Sequence, residues 1–338
     1  MKTAIKKLFG PPVRAGRYGY MTIRDWRAGR QLQRVQDHTA RIARGDVLLV
    51  VCLRNEKFRM PAFVDHYRRL GVDHFLVIDN GSTDGFQDWA RDQQDISVWY
   101  TEASYKKAHF GMLWCNDLLR RYGTGHWCVT VDPDEFLVYP FYETRGLKAL
   151  CQFLEDDRRE VMHTVMLDAY SDRDVDDTVL GEGDDPFEVC PFFDRDGYVQ
   201  TTGWGRGSFI RGGPRLRVHF REDVDHAPAL NKAPLVKWCW HYHYRLSMHD
   251  LYPRRLNQPH SPGEVSLTGG LFHFKLVASL TDKAREEMRR GEHFAGSREY
   301  AQYLEASENA LYQEGVSSRF TGSRQLLDLG LMSAGRWF

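Results

Sequence analysis

The sequence predicts an α/β fold built on a mainly parallel central sheet flanked by helices, and three observations predict it. Val47-Leu48-Leu49-Val50-Val51-Cys52-Leu53 and His74-Phe75-Leu76-Val77-Ile78 are continuous apolar runs, as expected of strands buried on both faces of a parallel sheet. Stretches with helical spacing lie between the runs. Three apolar runs also stop abruptly at polar clusters, namely Arg54-Asn55-Glu56, Asp79-Asn80 and Asp132-Pro133-Asp134. In open α/β sheets ligands sit outside the carboxyl ends of the strands, so these clusters are expected to gather along one edge.

Residues 1–46 differ from the rest. Lys2, Lys6, Lys7, Arg14, Arg17, Arg24, Arg27, Arg30, Arg34, Arg41 and Arg44 face only Asp25, Asp37 and Asp46. Ile23, Trp26, Leu32, Val35 and Ile42 give a loose helical period over residues 22–43. Such a segment reads as a solvated helix capping the domain; attraction to an anionic membrane surface is the sharper alternative.

After the first strand, Phe63, Val64, Tyr67 and Leu70 form one helical stripe, with Gly71 at the position just past its end. The second strand stops at Asp79-Asn80-Gly81-Ser82-Thr83-Asp84-Gly85, a turn-rich loop. Ile96–Tyr100 is a short third strand. A helix with Phe110, Leu113, Trp114, Leu118 and Tyr122 then leads to His126-Trp127-Cys128-Val129-Thr130-Val131-Asp132. In an extended chain side chains alternate, so Asp132 and Asp134 are expected on one face and Glu135 on the other, in a structural role. Pro133 suggests that the strand ends or bulges there. Two such acids can hold a hard divalent cation, which in turn holds phosphates. No G-x-G-x-x-G or G-x-x-x-x-G-K-[ST] loop offers backbone amides for that task.

Further on, a strand over residues 161–167 ends at Asp168, and residues 172–185 form an acidic loop. Lys237-Trp238-Cys239-Trp240-His241-Tyr242-His243-Tyr244-Arg245 alternates strictly. A packed aromatic face is the plainer reading, and a zinc site from Cys239, His241 and His243 the sharper one. His249 and Gly269-Gly270-Leu271-Phe272-His273-Phe274-Lys275 follow; His273 and Lys275 suit metal ligation and diphosphate binding. Two amphipathic helices are expected after Ser279, with Ala284, Met288, Tyr300, Tyr303 and Leu304 inward.

The 338 residues are 42% hydrophobic and 27% charged, an ordinary globular composition. Lys+Arg and Asp+Glu are 46 each, so no global basic field argues for a nucleic-acid partner. Cys52, Cys115, Cys128, Cys151, Cys190 and Cys239 form no C-x-x-C pair and read as reduced thiols. No signal peptide or membrane span is evident, so a cytoplasmic protein is expected, at most peripheral to the inner face of a membrane. The expected units are a basic helical segment (1–46), two halves of one α/β domain (47–145 and 146–279) and C-terminal helices (280–338).

Leu53-Arg54-Asn55-Glu56, Ile78-Asp79-Asn80-Gly81-Ser82-Thr83-Asp84-Gly85 and Asp132-Pro133-Asp134-Glu135-Phe136 together resemble the donor-binding half of a family-2-like glycosyltransferase of the Rossmann-like GT-A fold. Asn231-Lys232-Ala233-Pro234-Leu235-Val236-Lys237-Trp238, Ser247-Met248-His249 and Leu271-Phe272-His273-Phe274-Lys275 resemble its bacterial subgroup. The resemblance covers residues 47–303. It implies a nucleotide-diphosphate sugar donor (a UDP-sugar first), Mn2+ or Mg2+, and transfer to a glycan or lipid-linked acceptor of the bacterial envelope. It places Asp79 at the nucleobase or ribose, Arg54, Asn55, Glu56 and Asn80 around the nucleoside, and Asp132 and Asp134 on the metal. The family's late His falls on His273, with His249 as alternative. Inverting transfer needs a carboxylate base; Asp168 is the first candidate, with Asp225 and Asp194 behind it, since Gly203-Trp204-Gly205 is followed by Arg206 and not an acid pair. A retaining mechanism, a sugar-nucleotide-forming nucleotidyltransferase and a non-catalytic scaffold are the rival readings.

Overall fold

A computed structural model describes residues 10–202, 208–245, 247–257, 265–279 and 311–337. A nine-stranded sheet is its spine. The strands are β1 (Gln33–Gln36), β2 (Val47–Leu53), β3 (His74–Asp79), β4 (Ile96–Tyr100), β5 (Trp127–Thr130), β6 (Glu135–Val138), β7 (Val161–Asp168), β8 (Asn231–Lys237) and β9 (Thr268–His273). Their order across the sheet is β1-β4-β3-β2-β5-β8-β7-β9-β6. β4, β3, β2 and β5 run parallel, and so do β7 and β9; β1, β8 and β6 run against their neighbours. The result is the mixed, mainly parallel α/β layering expected of a Rossmann-like GT-A fold.

Burial explains the composition of the strands. Leu48, Leu49, Val50 and Val51 on β2 and Phe75, Leu76, Val77 and Ile78 on β3 are fully buried. Helix α1 (Gly10–Gly29) is followed by α2 (Met60–Leu70), α3 (Phe86–Arg91), α4 (Met112–Leu118) and α5 (Leu147–Asp156). α2 buries the expected stripe of Phe63, Val64, Tyr67 and Leu70. It ends at Gly71, whose φ of 100° is the left-handed conformation that glycine adopts without a Cβ clash. Two large hydrophobic clusters result among the described residues, with a small third around Tyr170 and Leu276. One, around Phe63, Tyr67, Val77, Phe136 and Phe272, includes α2 and α5; the other, around Leu48, Trp99, Trp114 and Trp238, includes α4.

Three local expectations are corrected. Residues 22–43 are not one helix: α1 ends at Gly29, and Gln33–Gln36 adds an antiparallel edge strand to β4, tied down where the Gln36 side-chain amide donates to the Ala90, Gln93 and Ile96 carbonyls. The aromatic alternation after Lys237 does not continue as one strand. A turn at Trp240 and His241 breaks it, leaving Trp240 exposed while Trp238, Tyr242 and Tyr244 are buried. The short segment Ser317–Arg319 is a strand, and Ser323–Asp328 a helix. The helical positions Ala284, Met288, Tyr300, Tyr303 and Leu304 lie outside the described residues, as does Gly203-Trp204-Gly205-Arg206.

Candidate active site

The parallel strands deliver their polar ends to one edge, but they bind one another there more than they face outward. Asp79 closes β3 with no exposed surface. Its Oδ1 accepts from the Ser82 amide at 2.8 Å, and its Oδ2 from the Gln87 side-chain amide at 2.6 Å. This corrects the expectation of Asp79 in an open loop. Asn80 donates to the carbonyls of Thr101 and Ala103, each at 3.0 Å. The Arg54 guanidinium donates to the Asn80 carbonyl at 2.9 Å. Asn55, in the left-handed region (φ 53°), accepts from the Thr83 amide at 2.7 Å, while its own amide donates to Ser82 Oγ at 3.0 Å. Glu56 turns to the buried Arg59, whose Nε lies 3.1 Å away.

Arg59 is a residue that sequence reasoning missed, and it joins two parts of the edge. Its Nη1 donates to the Phe274 carbonyl at 2.7 Å, and the Phe274 amide donates to the Asp134 carbonyl at 2.8 Å. Burial raises the pKa of the Cys52 thiol well above its ordinary value, and the charges of Asp132 and Asp79 add to that push, so both carboxylates act on one residue of β2.

The acidic stretch is built differently from the expectation. β5 ends at Thr130, and residues 132–135 form a turn closed by the Glu135 amide on the Asp132 carbonyl at 3.0 Å. A turn, unlike a strand, does not alternate by twos, so Asp132 and Asp134 take different partners. Asp132, its side chain 41% exposed, meets Lys232 Nζ at 3.2 Å. Asp134 meets His273 Nε2 at 3.5 Å. Glu135, expected to turn away, belongs to the same cluster. It is fully buried, ion-paired to Lys232, and accepts from the Asp132 amide at 3.1 Å.

Register explains why. Glu135 on β6, His273 on β9 and Asp168 on β7 are direct cross-strand partners, which places all three on one face in one row. Asp168 Oδ1 and His273 Nδ1 are 2.8 Å apart, and Arg215 Nε donates to Asp168 Oδ2 at 2.7 Å. Burial works against the Asp168 carboxylate, yet Arg215 and the His273 contact outweigh it and hold its pKa below the usual range. Burial likewise disfavours the His273 imidazolium, but Asp134 and then Asp168 raise its pKa. Lys232 is buried, and Glu135 and Asp132 overcome that burial to keep its pKa raised.

Among the other expected residues, Lys275 is partly buried two positions past His273. Partly buried His249 has its Nδ1 2.6 Å from the Asn231 carbonyl; burial, then the Lys232 charge, lowers its pKa to about 4. Asp225 is exposed on a short 3-10 turn. Asp194 is buried against Arg217 and Tyr170. Cys239 Sγ and His241 Nδ1 are 3.0 Å apart, but His243 turns to Asp25, so the zinc alternative loses its third member. Among the described residues no group of three or more His, Cys, Asp or Glu stands in metal-holding geometry, and no helix is long and apolar enough to cross a membrane.

No protein-family model matches the chain, and no curated protein does. Solved structures give distant likenesses. One is glucosyl-3-phosphoglycerate synthase from Mycobacterium tuberculosis, in complex with Mn2+, UDP and glucosyl-3-phosphoglycerate; it is 17% identical with a TM-score of 0.23, over 39% of this chain and 46% of that one. This chain thus spans less than half the length of that protein. A second is 4-diphosphocytidyl-2C-methyl-D-erythritol synthase, 10% identical, TM-score 0.28, over 81% of this chain and 95% of that one. A third is mannose-1-phosphate geranyltransferase from Thermus thermophilus, 10% identical, TM-score 0.28, over 77% and 68%. At such scores these likenesses carry no weight in the functional reading.

Lys232, Arg215 and Arg59 are the residues of the candidate site that the sequence reading passed over. Lys232 left a signal: a charged residue beside Ala233, Leu235 and Val236 in an apolar strand is buried only when paired. Pro234, which has no N–H, marks the slip in β8–β7 register between Lys232 and Leu235. Arg215 and Arg59 left none, since Arg is frequent throughout the chain.

Proposed function

We propose that the chain is a divalent-metal-dependent transferase that takes a sugar from a nucleotide-diphosphate donor, a UDP-sugar first, and passes it to a hydroxyl of a glycan or lipid-linked acceptor. The observation that carries this reading is the meeting of Asp134 with a His273 ring that Asp168 holds from behind. A carboxylate on the far nitrogen of a histidine fixes the tautomer and orientation that metal ligation requires. The 3.5 Å between Asp134 Oδ2 and His273 Nε2 is close to the roughly 3 Å between adjacent ligands of a small six-coordinate cation. Asp134 and His273 would hold Mn2+ or Mg2+ as two protein ligands, leaving the remaining positions to water and the donor's phosphates, while Asp132 stays on Lys232. When bound, such a cation offsets the charge that grows on a departing diphosphate.

The chain's own residues do the rest. Lys232 neutralises the buried Glu135 and steadies the more exposed Asp132, so that the two acids do not repel each other. Arg215 holds Asp168 ionised, which makes Asp168 a positioning carboxylate for His273 and not the base of the reaction. Arg54, Asn55 and Asn80 would shape the nucleoside end, with Asp79 and Glu56 bracing their loops, and Lys275, two positions past His273 in the chain, would serve the diphosphate. Residues 47–145 then serve the donor and residues 146–279 the acceptor. Calorimetric titration with UDP tests the reading. Binding at least tenfold tighter with Mn2+ is expected; equal affinity with and without the metal contradicts it.

A further inference from the structure

Helix α1 presents its aromatic and aliphatic side chains outward. Tyr20, Ile23 and Trp26 are 67%, 51% and 45% exposed, while Met21, Asp25 and Ala28 are buried. Residues 16, 19, 20, 23, 26, 27 and 30 are all exposed, which is the spacing of one helical face. The opposite face is firmly attached to the body. Asp25 meets His243 at 2.6 Å, the Tyr18 ring lies 4.9 Å from that of Tyr252, and Gly29 lies so close to Asp117 that a Cβ there would fall 1.9 Å from its carboxylate oxygen. The outward face is therefore a fixed surface. Trp240, 57% exposed, extends it: its ring is 5.2 Å from His241, which in turn packs on Tyr18.

Charge singles out the same region. Residues 1–46 carry eleven Lys and Arg against three Asp. With 46 of each sign in the whole chain, residues 47–338 hold a surplus of eight acids. Arg27 and Arg30 are exposed on the aromatic face, and the Arg30 guanidinium lies over the Trp26 ring at 5.3 Å.

We propose that this face of α1, extended by Trp240, docks on an anionic lipid bilayer. Trp and Tyr favour the boundary between headgroups and acyl chains, and Arg is drawn to anionic headgroups at the same depth. A second copy would set Arg27 and Arg30 against another such pair, which like-charge repulsion opposes. The proposal is independent of the transferase reading, because no residue of the face belongs to the acidic row.

The test is cosedimentation of the full chain with vesicles of phosphatidylcholine alone and of phosphatidylcholine with phosphatidylserine. Binding is expected only to the anionic vesicles, and it should weaken as salt rises. Arg27→Glu/Arg30→Glu should reduce it by about thirtyfold for the two lost cations, and by more for the added repulsion. Tyr20→Ser/Ile23→Ser should reduce it as well, with an unchanged melting temperature, since both side chains are exposed. Absence of wild-type binding, or binding that both variants keep, overturns the proposal. A dimer in gel filtration that Tyr20→Ser/Ile23→Ser dissociates, without vesicle binding, assigns the face to a second copy and overturns it equally.

Discussion

The two ends of the polar edge are held by different forces. At the β2–β3 end, Asn55, Asp79 and Asn80 are tied mainly by neutral backbone and amide groups, and the loops close on one another. At the β6–β9–β7 end, buried charges face buried charges: Glu135 with Lys232, Asp168 with Arg215 and His273. The first kind of end fixes the shape of its loops. The second stores electrostatic potential in a place from which water is largely excluded, which is where a cation or a developing charge is felt most strongly.

Breaking the ionic end should have the larger consequence. Lys232→Met leaves Glu135 buried without its partner, and stability should fall by about 3–5 kcal/mol. Adding Glu135→Gln should recover most of the loss in urea unfolding. Single and double variants of equal stability would mean that the pair contributes nothing.

Beneath that end, His66 Nε2 lies 2.9 Å from the Leu137 carbonyl on β6. Burial lowers the pKa of His66 from 6.5 to about 4. The unfolded chain therefore binds the extra proton between pH 6.5 and 4, and stability present above pH 6.5 is lost as the pH falls through that window, up to about 3 kcal/mol for this group. His66→Gln should flatten the acid limb of the melting temperature; a wild-type slope in the variant would exclude His66 as its source.

The smallest effect is expected at the neutral end. Asp79→Ala removes one acceptor each from the partly buried Ser82 amide and Gln87, costing about 1–3 kcal/mol of stability. An unchanged melting temperature would show that the loop does not depend on that carboxylate.

The same contrast decides what was legible in the sequence. The donor-side strands were legible because each is a continuous apolar run whose end falls beside a turn signal, and Gly71 marks its helix end by φ alone. Convergence of Arg54, Asp79 and Asp132 on one edge followed from parallel topology. The ionic row was not legible, because Glu135, His273 and Asp168 become neighbours through the pairing of three strands far apart in sequence, including an antiparallel one. Strand periodicity gave the wrong face for Glu135 because a turn separates β5 from β6. Asp168 looked like a free strand-end acid only because Arg215, 47 residues away, leaves no trace in local pattern.

The most direct test of the account is titration of Mn2+ alone, followed by the paramagnetic signal of the free ion, in wild type, Asp134→Asn, His273→Ala and Asp79→Ala. If the ionic end is the cation site, Asp134→Asn and His273→Ala each weaken Mn2+ at least tenfold while Asp79→Ala binds it as wild type does, and turnover by Asp134→Asn falls by roughly a thousandfold, about 4 kcal/mol of transition-state stabilisation. Mn2+ curves for Asp134→Asn and His273→Ala that overlay the wild type would contradict it.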